Sequence, residues 1–128
     1  MKCLTTTCAR FLCGIPFFVF GIFHLISGEG MVRVVPTWLP GGVIWIYFTG
    51  LLLFLGGLSL FINKHTALAC KILALLLLSF IAFIHIPHWL NLVTDPWPIG
   101  LGDPQWNLLK DLGLLGAVLT WAGISEKN

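Results

Sequence analysis

Among long apolar stretches, this 128-residue chain places a few side chains able to handle protons or hydrogen bonds: His24, Trp45, Thr49, His85, Asn107 and Asp111. In hydrocarbon an ionisable group costs about 3 kcal/mol or more unless it is paired or faces protein, so each of these residues needs a reason to be there. A carboxylate in low dielectric is driven towards a partner, and an imidazole beside a carboxylate can hold and pass a proton. Asn107 and Asp111 are four residues apart and share a helix face. Lys110 points about 100° away from Asp111, so the expected partner of the carboxylate is His24 or His85 on another helix.

Trp45, Thr49 and Gly56 fall on one face by spacings of four and seven. Thr49 could hydrogen-bond inward or back onto its own helix, the second being the commoner behaviour. His24, His85, His88 and Asp111 include metal-donor types. No H-E-x-x-H or E-x-x-H pattern supports a metal site, however, and Pro87 disturbs the spacing of His85 and His88, so no metal is expected.

The elements that must position these groups follow from composition. With 58% hydrophobic and 9% charged residues the chain lies far from a water-soluble domain, and its net charge of +2 is too small and scattered to suggest nucleic acid. Four apolar stretches, residues 8–26, 42–62, 67–86 and 107–124, each approach the ~20 residues that cross a bilayer as helix. The first is too long for a signal-peptide core and reads as a retained helix. The expectation is a single all-α membrane domain over residues 1–128, a four-helix bundle running up-down-up-down.

Asn63-Lys64-His65-Thr66 is a tight turn between the second and third helices. Lys2, Arg10, Lys64, Lys71 and Lys127 lie on one side and Arg33 and Lys110 on the other. That bias places both termini in the cytoplasm of a multi-pass protein of the cell (inner) membrane. Lys71 is expected to snorkel to the cytoplasmic interface. Cys3, Cys8, Cys13 and Cys70 contain no C-x-x-C pair and lie towards the reducing side, so Cys13 and Cys70 read as small packing residues. Gly14, Gly21 and Gly28, seven apart, form a stripe that lets a neighbouring backbone approach, with His24 beside it facing protein.

The outer connections, Gly28 to Gly41 and Pro87 to Trp106, are rich in Trp, Pro and Gly and read as turns or interfacial segments. They bring Trp38, Trp45, Trp89, Trp97 and Trp106 to one membrane surface, as an aromatic belt or as a lid over a pocket. Third-helix residue His85 stands just before Pro87, where the helix must end or kink. All six candidates therefore fall within about two turns of the outer surface, from four helices. Such a cluster is either a ligand site or a network that locks packing. A quinone-type site needs an apolar slot, a hydrogen-bonding group such as His and a carboxylate to relay protons, and this set contains them.

The order Phe23-His24, Val35-Pro36-Thr37-Trp38-Leu39-Pro40, Trp45-Ile46-Tyr47-Phe48-Thr49-Gly50, Gly56-Gly57, His85-Ile86-Pro87 and Asn107-Leu108-Leu109-Lys110-Asp111-Leu112 resembles the DoxX family of small bacterial membrane proteins. The resemblance covers nearly the whole chain. It implies a four-helix membrane fold and an association with redox systems, relatives including subunits of thiosulfate:quinone oxidoreductase and of oxidative-stress assemblies. The cysteines match no family motif. The expected function is a redox-associated subunit that binds a quinone or similar lipophilic molecule near the outer face. The alternative is a non-catalytic partner or assembly protein of an oxidoreductase complex, with lipid, a partner subunit or a second copy of the chain as its neighbours. A thiol enzyme resembling vitamin K reductase is disfavoured by the missing cysteine pair, and a transporter by the missing inverted repeat.

Overall fold

A computed structural model describes residues 1–94, 96–98 and 100–127; Asp95, part of the second Trp-Pro connection, lies outside them. Helix α1, Lys2–Ser27, continues as a 3₁₀ segment, Gly28–Val34. Helix α2 is Val43–Ile62 and α3 is Thr66–Phe80, which passes through a π-helical segment, Ile81–His85, into the short α4, Ile86–Trp89; α5 is Pro104–Glu126. Among the described residues there is no strand, and four helical spans are long and apolar enough to cross a bilayer: Lys2–Val34, Val43–Ile62, Thr66–Trp89 and Pro104–Glu126. These are the marks of a multi-pass membrane protein.

The outward faces carry Leu12, Phe23, Ile44, Leu75 and Leu119 largely exposed, while Phe17, Leu53, Leu60, Cys70, Leu73 and Val118 form the interior. Apolar on both sides, the helices need lipid around them. Cys13 and Cys70 belong to the core, Cys3 and Cys8 are exposed, and all four thiols are free.

Helix boundaries differ from the hydropathy reading where the apolar window stops short of the helix. Helix α1 starts at Lys2 instead of near residue 8, since Thr5 and Thr6 donate their hydroxyls back to the carbonyls of Met1 and Lys2 and continue the helix beyond its apolar part. Helix α5 starts at Pro104, whose fixed φ suits the first helical position.

Pro87 does not end the third span. It falls inside α4, and the π turn immediately before it, with Ile86 N–H bonded to the carbonyl of Ile81, absorbs the residue that the proline ring would otherwise crowd. His85, the last residue of that turn, is thereby held in the interior.

One end of the bundle is closed by polar contacts. Arg10 donates to the carbonyls of Leu60 and, at 3.0 Å, of Phe61, serving the open last turn of α2. Asn63 takes the left-handed conformation (φ 56°) that stops the helix and starts the tight turn. Lys71 is exposed and forms an ion pair with Glu126 at the end of α5.

The glycine stripe does what its spacing implies. A methyl group on Gly21 would fall onto the backbone of Phe54, and one on Gly57 onto the backbone of Phe18. Contacts run in opposite sequence order, Gly14 against Phe61, Gly21 against Phe54 and Gly28 against Tyr47, so α1 and α2 meet almost backbone to backbone. The glycines of α5, Gly113, Gly116 and Gly123, have nothing within 4 Å of such a methyl. Gly21→Val or Gly57→Val is therefore expected to lose several kcal/mol of stability, beyond the ~1–3 kcal/mol of ordinary overpacking because backbone must move. Gly116→Ala should be neutral or stabilising by up to about 1 kcal/mol. Denaturant titration of the detergent-solubilised protein measures the difference; equal effects at the two sets of positions would refute the close contact.

Candidate functional site

Away from the closed end, α1, α2, α3, the π segment and α5 surround a chamber of about 250 Å³. Its apolar wall includes Phe17, Phe20, Leu53, Phe80, Ile84 and Leu114, and its polar lining is His24, Thr49, His85, Asn107, Lys110 and Asp111. Five of the six residues singled out from sequence thus share one cavity. The sixth, Trp45, does not line it; it faces a separate groove and donates its indole N–H to the carbonyl of Pro40 at 2.6 Å.

The centre of the site is a buried pair: His85 Nε2 lies 2.8 Å from Asp111 Oδ2, with the two residues 8% and 3% exposed. The cross-helix partner of Asp111 is therefore His85 and not His24. The π turn presents His85 and the second turn of α5 presents Asp111, so the contact ties the third span to the fourth.

Lys110 departs from its expected direction. Its Nζ comes within 3.4 Å of Asp111 Oδ1 and 3.3 Å of Asn107 Oδ1, and sits 4.3 Å above the ring of Phe20. The Cα–Cβ bonds of Lys110 and Asp111 diverge as helical geometry requires, but the four-carbon stem of lysine curls back over the distance. Asp111 thus meets a cation on one oxygen and an imidazole on the other, and the ammonium also gains from the face of Phe20.

His24 Nδ1 lies 2.7 Å from the carbonyl of Phe20 in its own helix, and its ring stacks on Phe80 at 6.4 Å. With Nδ1 donating to that carbonyl, Nε2 is left as the acceptor. Thr49 follows the commoner of its two readings, its hydroxyl reaching back to Trp45 O (2.8 Å) and Ile46 O (3.1 Å). Asn107 donates to Leu101 O at 2.7 Å and so fixes the connection that leads into α5.

Trp38, Trp45, Trp89 and Trp106 are exposed, whereas Trp97 folds inward, packs edge-on against His85 (5.9 Å) and His88 (4.9 Å) and lines the chamber. Its indole donates to Gly102 O. Lys110 is absent from the candidate ligand-binding set read from sequence, and Trp97 enters that reading only as one of five tryptophans of a belt or lid. Trp97 stands between two prolines in a segment without periodicity, which offers no directional signal.

Two buried ring nitrogens, His85 Nδ1 and His88 Nε2, have no hydrogen-bond partner among the described residues. With Asp111 as a carboxylate, the proton of His85 sits on Nε2 and Nδ1 carries a lone pair. That nitrogen is an unfilled hydrogen-bond acceptor, buried beside the chamber that His85 lines. Among the described residues no three His, Cys, Asp or Glu side chains converge in a way that could hold a metal ion.

Asp111→Leu leaves both nitrogens of His85 unpartnered and is expected to cost about 2–4 kcal/mol, while His85→Leu added to it should recover part of that loss. Additive losses in a double-mutant cycle of unfolding free energies would contradict the pairing. Compared with family models, with characterised proteins and with solved structures, the chain matches none.

Proposed function

We propose that this protein is a redox-associated membrane subunit that binds a quinone or similar lipophilic small molecule, with His85 and Asp111 as the groups that meet its polar head. In this reading the four spans run up-down-up-down in the inner membrane, with both termini cytoplasmic and the chamber near the outer face. The excess of Lys and Arg at the closed end supports that orientation.

The observation that carries the proposal is the buried His85–Asp111 pair in the wall of an otherwise apolar chamber, with Nδ1 of the same imidazole unpartnered. With a small shift of the side chains that cover Nδ1, a ring hydroxyl of a quinol could donate to it, or a quinone oxygen could accept from a protonated imidazole. When two electrons leave a quinol for an acceptor on a partner protein, two protons must leave as well. His85 would take one, with Asp111 offsetting the imidazolium charge, and the second would pass to water at the outer face. His24, Thr49, Asn107 and Lys110 complete the lining. The resemblance to DoxX proteins points to the same class of chemistry.

A second reading, an assembly partner within an oxidoreductase complex, is favoured by one observation. A methyl group on Gly113, Gly116 or Gly123 of α5, with Thr120 exposed beside them, would meet nothing within 4 Å among the described residues, and small residues on an outward face suit contact with another transmembrane helix.

The test is equilibrium binding of a quinone analogue to the purified protein. His85→Ala and Asp111→Asn are each expected to weaken binding about tenfold or more, the worth of a hydrogen bond to a charged or polarised group. Unchanged affinity in both variants, or no binding to the native protein, overturns the proposal; co-purification of a partner subunit without any small molecule would favour the second reading.

A further inference from the structure

Outside the chamber, on the flank between α2 and the third span, runs a groove of about 450 Å³. Leu39, Phe48, Leu52, Leu75, Leu76 and Phe83 are among its lining residues. It shares a wall with the inner chamber: Ile46, Thr49, Phe80 and Ile84 border both spaces. We propose that this groove holds the prenyl tail of the ligand whose head occupies the chamber, and that the ligand arrives sideways from the bilayer past Phe80. The inference rests on the reading of the chamber as a quinone-head site and adds where the rest of the molecule lies.

Polar accounting separates the two spaces. In the groove, Trp45 donates to Pro40 O, Thr49 to Trp45 O and Ser79 to Leu75 O, at 2.6, 2.8 and 2.9 Å, and Trp38 keeps its indole at the exposed rim. Among the described residues no buried side-chain polar atom of its lining lacks a partner, so hydrocarbon suits it. The chamber is lined by His85, whose Nδ1 is buried and unpartnered among the described residues, and by the Lys110–Asp111 ion pair. Its 250 Å³ falls below the ~300 Å³ at which pockets for drug-sized ligands begin, so a single ring fits and a polyprenyl chain does not. An amphiphile with a ring head must therefore leave its tail outside, and the neighbouring space is the apolar groove.

The helices are built to part at this place. Helices α2 and α3 are tied by the turn at Asn63 and packed closely where Leu73 covers Gly56. Towards residues 45–49 and 79–84 they separate around the groove, and they share less contact than α1 with α2 or α3 with α5. The π segment begins at Ile81, one residue after Phe80, and single π turns of this kind occur frequently at functional sites.

Leu75 is 68% exposed on the groove wall, so Leu75→Trp fills the groove without disturbing the core. Two probes suffice, a tail-less dimethoxybenzoquinone and its decyl-tailed homologue, titrated against native protein and variant in the same detergent so that partition into micelles cancels. Native protein should favour the tailed probe about tenfold or more, the variant should reduce that preference to about twofold or less, and the tail-less probe should bind both equally. Tail-less binding with a tail preference that is absent in native protein, or unchanged in Leu75→Trp, overturns the groove assignment and leaves the chamber reading standing. If neither probe binds native protein, both fall.

Discussion

A bilayer offers no hydrogen bonds, so every polar atom that enters it must find its partner inside the protein. The architecture of this chain can be read as an answer to that constraint. Thr49, Ser79 and Thr120 turn their hydroxyls onto their own helices, Arg10 serves the open carbonyls of α2, and His24 reaches the carbonyl of Phe20. These contacts are local or lie at the rim. Among the described residues His85 with Asp111 differs from these, being drawn from two spans and buried together, and His85 Nδ1, like His88 Nε2, remains without a partner.

Much of this was legible in the residues, and the parts that were not share a cause. The spacing of Gly14, Gly21 and Gly28 reveals a backbone contact because only glycine permits it, and the depth of His85 and Asp111 along their helices follows from a fixed rise per residue. Side chains with long stems escape such arithmetic: the direction of the Cβ of Lys110 says little about where its ammonium ends. Helical periodicity assigns Trp45 and Thr49 to one face of α2 without saying that two cavities adjoin that face, and only Thr49 reaches the inner one. Pro87 signals a break by local rules, yet a π turn has no sequence signature and carries the span past it.

The same turn explains why the third span contributes so much to the site. By inserting one extra residue it changes the register of all that follows, setting His85 against α5 and His88 against Trp97. A regular helix with proline at that position would kink or stop, and the connection towards α5 would lose its anchor on the two imidazoles.

The helices are not equally bound to one another. Helix α1 lies against α2 almost without side chains between them, α3 lies against α5, and the contact between α2 and α3 is thinner. The molecule is thus two stiff planks joined along a softer hinge line. His85, Lys110 and Asp111 all ride on the same plank, so small rocking movements of one plank against the other would widen or narrow the chamber while the distance between His85 and Asp111 stays the same.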